Sequence, residues 1–419
     1  NEALEDIPFR EYNVSELYAS IAPLFPNASK IVILTRGTDI ESLIPEYDRK
    51  GRPNKKRLYS IKESKYPLTR SLSSPHEIKN GLQNRHIALW QSHGLYYAQT
   101  AHRWEWHRAR MFGTVEDLFT QSFVLPYLTP MLENAGATIL IPRERDTQIY
   151  EIIIDNDRST PGSEYKELDG EKAWSDGEKA GFGHIQATYT NGENPFTQGT
   201  YRQTVTQRKG KESLIEWIPE IPESGNYSYQ SFPNSTEQAL YTIHHAGGET
   251  TIAVNQTMGG GTWIYLGNFK FTAHEQAHER IVLTNQSNKS GKIITADAIK
   301  IGGGMGNIAR SPLESPYPIE AETSGYPRFT EAARYWLQWA GIPDSIYSKS
   351  AFRNDYQDDI YARPQWVNYL KEQTHIPIDM AFAFHSDAGT TPDDSIIGTL
   401  GIYMSESTPT GKAGRSPET

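Results

Sequence analysis

The chain has 419 residues, a net charge of −10 and no cysteine. That length suits two or three domains. The missing cysteines exclude disulfides, CxxC redox sites and cysteine-type zinc sites, the acidic balance argues against a nucleic-acid partner, and no apolar run approaches the length of a membrane span. The opening stretch NEALEDIPFREY is polar and acidic, so no signal peptide is expected there, a trait that a mature exported chain shares with a cytosolic one. The 24 Tyr and 9 Trp suit either sugar-facing surfaces or ordinary β-rich packing.

Strand and helix signals alternate over the first 148 residues. KIVILTRG (30–37) and HIALWQSHG (86–94) are short apolar runs closed by glycine. TVEDLFTQSFVLPYLTPMLENAG (114–136) carries apolar residues at helical spacing, with Thr114 as N-cap, a kink at Pro126 and a stop at Gly136. ATILIP (137–142) then reads as a strand, so this part is α/β in grammar. From QIYEIIIDND to KIGGG (148–304) short β runs recur between Gly/Asn/Pro/Ser clusters: GTYRQTVTQ, SLIEWIP, NYSYQSF, QALYTIHHA, ETTIAVNQ, TWIYLGNFKF, ERIVLTNQ and ITADAIKIG. Strands at that spacing argue an antiparallel sandwich. Helical signal returns in RFTEAARYWLQWAG (328–341), expected to be amphipathic, and in PQWVNYLKEQ (364–373), expected to open on its proline. IPIDMAFAFHSDAG (376–389) reads as a buried strand ending at His385, and TLGIYM (399–404) as another. The simplest organisation is an α/β domain split by an inserted β-sandwich, with boundaries 1–148, 149–309 and 310–419.

Two patterns bear on metal binding. HEQAH (274–278) matches the zinc-protease pattern H-E-x-x-H, which needs a helix beneath it. Here the flanks are strand-like, TAHEQAHE is polar throughout, and no Glu occurs between Glu279 and Glu314 to complete a site. We therefore expect His274 and His278 in an exposed, metal-free loop. The other pattern is dispersed: His93 ends one strand, Glu116 opens a helix and His385 ends another strand. In an open α/β sheet such positions converge at the carboxyl ends of strands. Two histidines and a carboxylate leave a fourth zinc position for water. Asp387 is a candidate to orient a ligand or a substrate amide.

Two resemblances follow. QSHG (91–94), VEDLFTQSFVLPYLTPMLENAGATILIPRERD (115–146) and FHSDAG (384–389) resemble the zinc-dependent N-acetylmuramoyl-L-alanine amidases of the amidase-3 type. The resemblance implies an open mixed sheet flanked by helices, Zn2+ on His93, Glu116 and His385, and hydrolysis of the amide between the lactyl group of muramic acid and L-alanine in peptidoglycan. It also implies an exported protein of the bacterial periplasm or cell surface, with peptidoglycan or another glycan as partner. GENPFTQGTYRQT, SGNYSYQSFPNS, GTWIYLGNFKF, VLTNQS and ITADAIKIGGG are similar to the golvesin/xanthan-lyase carbohydrate-binding-like sandwich. The alternative that this implies is a polysaccharide-binding or lyase-type surface protein without amidase activity.

The chain departs from the amidase pattern in two ways. LYYAQTAHRWEWHRARMFG lengthens the gap between His93 and Glu116. The late segment carrying the family's catalytic glutamate is not found in the 34 residues after His385, so the chain reads as a fragment and its general base is unknown. Glu105, Asp358, Asp359 and Asp387 are the stand-ins considered. AHRWEWHRAR (101–110) brings Trp104 and Trp106, with His102 and His107, near His93, either as the wall of a glycan cleft or as a helical turn with its tryptophans in the core. Asp355, Asp358 and Asp359 form an acidic cluster that suits a cation or a capped helix start on a solvated face. Seven N-x-S/T sequons occur, among them Asn226, Asn234, Asn255 and Asn285.

Overall fold

The computed structural model describes the chain apart from residues 1–8, 36, 45, 47–48, 52–53, 55–65, 74–80, 111–112, 184–187, 222–234, 274–277, 387–401, 405–412 and 416–419. It divides into two compact units, residues 1–62 with 389–419, and residues 63–388. In the smaller unit the helix Glu11–Ile21 contributes Val14 to a cluster with Ile40 and Ile44. KIVILTRG supplies only the short strand Leu34–Thr35, paired with Thr38–Asp39. TLGIYM supplies Ile402–Met404, paired with Ala413–Arg415.

The larger unit holds the expected antiparallel β structure. A six-stranded sheet runs Thr69–Ser71, Gly248–Val254, Ala239–His245, Arg280–Thr284, Leu214–Ile218, Glu164–Leu168. A three-stranded sheet runs Ser175–Asp176, Arg202–Val205, Ile293–Ala296. Alternation decides which face is inward: in ALYTIHH, Ala239, Tyr241 and Ile243 are buried between half-buried neighbours. Trp217 is fully buried and stacks on Tyr241 with ring centroids 6.1 Å apart. Two sequons fall inside this packing. Asn255 and Asn285 are buried and hydrogen-bonded through their side-chain amides to Tyr66 O and Val205 O. Asn226 and Asn234 lie outside the described residues.

Three parallel strands lie beside this β structure, in the order Met380–Phe384, His86–Gln91, Thr138–Leu140. All are parallel, so among the described residues the expected mixed character of this sheet is absent. The sandwich is not a separately cored insert either. One hydrophobic cluster joins Trp217, Tyr241 and Ile281 to Leu337, Trp339, Trp366 and Leu370. The edge strand Thr69–Ser71 comes from before the expected insert. Its incoming and outgoing strands, Ile152–Ile154 and Ile299–Ile301, pair with each other.

Several local expectations change. The helix over 114–136 is broken into Glu116–Phe119, Gln121–Phe123, a π turn Val124–Leu128 and Thr129–Asn134. Pro126 lies in the π turn, where a residue without an N–H cannot continue the ladder. Thr114 does not cap it; Val115 is the N-cap residue. The helix Ala333–Trp339 is buried on nearly every side rather than amphipathic. Pro364 sits inside the 18-residue helix Asp355–Glu372 instead of opening one. TWIYLGNFKF buries Trp263, Ile264, Leu266 and Phe271 without forming a strand. Among the described residues Met380–Phe384 is an edge strand with Met380 and Phe382 exposed, not a buried one. The acidic cluster does open a capped helix, with Asn354 accepting from Gln357 N, but it is buried and not on a solvated face. Asp355 is buried and accepts from Arg310, Arg334 and Tyr335, while Asp358 accepts from Ser350.

Candidate metal centre

The middle strand His86–Gln91 delivers His93 to the carboxyl end of the parallel sheet. Ser92 turns the backbone there with φ 31°, and its N–H still pairs with Phe384 O at 2.7 Å. Gly94 must be glycine: a Cβ would lie 2.5 Å from the carbonyl carbon and oxygen of Glu331, against which this turn packs. Arg143 fixes this turn from below. Its buried guanidinium donates to Gln91 O at 2.8 Å, to His93 O, to Glu331 O at 2.9 Å and to Phe329 O at 3.1 Å. The Arg of RERD thus holds the strand end that carries the histidine.

Glu116 is the first residue of its helix, and His385 follows the edge strand Met380–Phe384. Donor atoms of His93, Glu116 and His385 lie within 4.8 Å of one another. His385 Nδ1 and Glu116 Oε1 are 3.1 Å apart, close to the ~3.3 Å edge of a tetrahedron with zinc–ligand bonds of about 2.0 Å. The rings of His93 and His385 meet edge to face at 4.9 Å. His93 and Glu116 are nearly enclosed, whereas the His385 side chain is 39% exposed, so the site opens on that side.

The charge states suit a cation. Burial pushes the Glu116 carboxyl upward, but the hydrogen bond with His385 and the neighbouring rings outweigh it, and its pKa falls to about 2. Burial lowers His93, which keeps the ring neutral with a lone pair to give. Two imidazoles and an ionised carboxylate form a donor set that zinc accepts.

A second group lies behind His93. Asp359, fully buried on the helix Asp355–Glu372, has Oδ2 3.8 Å from both His93 Nδ1 and His107 Nε2. His107 stacks on His93 at 4.1 Å, and burial lowers its pKa to about 3. Arg363 reaches His93 Nδ1 at 3.1 Å and Asp359 at 3.3 Å. Burial alone would raise Asp359, yet Arg363 and the two rings hold its carboxyl well below the usual range. A neutral imidazole has one acceptor nitrogen. Arg363, which can only donate, faces Nδ1, whereas Asp359 Oδ2 lies beyond hydrogen-bond reach of it; Nε2 lies across the ring, toward Arg108. Nε2 is met there by Arg108, whose Nη2 is 3.2 Å away and whose Nε is 3.3 Å from Glu116 Oε2.

The other expected residues have clear places. AHRWEWHRAR forms a hairpin strand, Arg103–Trp106 paired with Leu95–Ala98, not a helical turn. Trp104 packs against Tyr97 and Tyr335 and donates to Glu322 O, and Trp106 meets Tyr326 edge to face. Among the stand-ins for a base, Asp358 is tied to Ser350, Asp359 sits on the far side of His93, and Glu105 is paired with Arg103. Asp387 lies outside the described residues, as does His274. His278 is exposed beside Glu279, which closes the loop on Thr272. Sequence reasoning weighed Asp359 as a base rather than as a support for His93, and it overlooked Arg108. The only available signal for Arg108 was the long segment between His93 and Glu116.

Residues 176–303 match the Golvesin C-terminal domain family. No curated protein matches the sequence. Among solved structures, a xanthan lyase from Paenibacillus overlaps 37% of this chain at 23% identity with a TM-score of 0.26, and the overlap spans 13% of that protein. A family 11 carbohydrate-binding module from Clostridium thermocellum, solved with a β-1,3-1,4-mixed-linked tetrasaccharide, overlaps 37% of this chain at 12% identity with a TM-score of 0.21 and is itself 96% covered. At those TM-scores neither overlap adds to the family match. The matched residues are those that form most of the antiparallel β structure.

Proposed function

We propose that the protein is a zinc-dependent amide hydrolase of the N-acetylmuramoyl-L-alanine amidase kind, acting on peptidoglycan and carrying a carbohydrate-binding-like sandwich. The observation that carries this reading is the meeting of His93, Glu116 and His385, far apart in sequence, within 4.8 Å at one end of a parallel sheet. A zinc ion bound there supplies Lewis acidity and a water of lowered pKa. The residues do the rest. Arg363, itself beside Asp359, meets the His93 ring at Nδ1, Glu116 remains ionised, and Arg143 fixes the turn that carries His93. The exposed edge of His385 marks the side from which a substrate carbonyl approaches. The protein and its glycan substrate would meet outside the bacterial cytoplasm, in the periplasm or at the cell surface.

The test uses the purified protein with zinc and peptidoglycan. Bound zinc near one equivalent, lost in His93→Ala and His385→Ala together with release of muramoyl-linked peptides, supports the reading. Zinc absent from the wild type, or cleavage indifferent to both substitutions, overturns it. The Golvesin-type match of residues 176–303 favours a second reading, polysaccharide binding without amide hydrolysis. Affinity for glycans without released peptide supports that one, and an unsaturated-uronate absorbance with acidic polysaccharide supports its lyase form.

A further inference from the structure

Glu116 is a buried carboxylate side chain beside the ring of His93. Such a charge is costly without a partner cation. Arg108 supplies one: its Nε is 3.3 Å from Glu116 Oε2 and its Nη2 3.2 Å from His93 Nε2. A guanidinium has donors only, so it draws on the same lone pairs that a metal ion would take. His93 Nε2 cannot serve both at once. The neighbouring arginines are committed elsewhere, Arg103 to Glu105 and Arg110 to Gly113 O.

We infer that Arg108 is a built-in competitor of the metal ion, holding His93 and Glu116 in ligand geometry until metal entry displaces its guanidinium. The inference rests on the zinc reading of the same three residues. The Arg108 backbone N–H is pinned to Asp117 Oδ2 at 3.3 Å, while its side chain is 36% exposed against 5% for Glu116. The backbone therefore stays while the guanidinium has room to leave, and Tyr356 OH, 3.2 Å from Nη1, is a partner outside the ligand set.

The experiment is calorimetric titration of zinc alone into metal-free wild type, Arg108→Ala and Arg108→Gln, with melting curves of each protein with and without zinc. Both variants are expected to bind zinc at least tenfold more tightly than wild type. Their metal-free melting temperatures should fall, and the zinc-loaded values should converge on that of the wild type. Zinc taken up by the wild type and no more tightly by either variant overturns the inference and leaves the zinc reading standing. Uptake by the variants but not the wild type supports the inference. No uptake by any of the three overturns both. Arg108→Gln retains a polar side chain of similar reach, so it answers the question if Arg108→Ala does not fold.

Discussion

Buried acids are treated in opposite ways in two regions of the 63–388 unit. Around the helix Asp355–Glu372 they have cations or hydroxyls for company. Asp355 accepts from Arg310 and Arg334, Asp358 from Ser350, and Asp359 lies beside Arg363. In the sandwich, Asp155 and Asp297 lie buried where the incoming and outgoing strands end, and no described residue gives either an ion pair. Burial raises both, Asp297 to about 8, with the charge of Asp297 adding to the rise at Asp155. The difference is one of purpose. The region with the candidate metal centre uses fixed charges to hold side chains at set positions. In the sandwich, burial without a described cation raises the Asp155 and Asp297 carboxyls.

The largest expected effects set these two kinds of order against each other. Asp355→Ala strands two buried guanidinium groups and should cost ~3–5 kcal/mol in denaturant unfolding. Trp217→Ala empties a fully buried site in the sandwich and should cost about 3–5 kcal/mol. Because Trp217 and Leu337 share one hydrophobic cluster, both variants should shift a single cooperative transition. Two separated transitions would break the picture of a common core. Next, Asp359→Asn should weaken zinc binding by about 10–100-fold through the orientation of His93, as read by competition with a chelator. An unchanged affinity would reduce Asp359 to packing.

A smaller effect separates the regions by pH. A carboxyl whose folded pKa lies above its unfolded value binds more protons when folded, so its cost appears as pH rises. For Asp297 that window runs from about 3.8 to about 8. Asp155→Asn should flatten that decline of stability with rising pH. A slope identical to wild type would show that the pair carries no such cost. Asp359 has the opposite sign: its folded pKa is depressed, and its contribution is lost as pH falls. Smallest of all, His278→Ala should change stability by less than ~0.5 kcal/mol and leave zinc content untouched. Loss of zinc would return HEQAH to consideration.

Much of the site was legible because its residues mark element ends. QSHG closes a strand, VEDLF opens a helix and FHSDAG follows a strand, and local patterns reveal such boundaries. The support for these residues was less legible. Arg363 reaches His93 Nδ1 across 270 positions of sequence, a contact that no local pattern announces. TWIYLGNFKF misled because aromatic and aliphatic letters report burial, and burial does not require a strand. IDMAFAF misled for a related reason: an apolar run does not say whether its strand is central or at the edge.

By itself the sequence determined the β-rich middle, through period-two alternation between turn clusters, and the three candidate ligands, through their places at element ends. It also determined that a metal would have only His, Asp or Glu to bind. Only the tertiary structure decided that one face of the parallel sheet joins the sandwich core through Ala88, that the acidic cluster is buried with arginines against Asp355 and Asp359, and that Arg108 faces His93 and Glu116. Periodicity and capping are properties of sequence neighbours. Core sharing, charge pairing and ligand convergence depend on contacts between distant residues, and these exist only once the protein has folded.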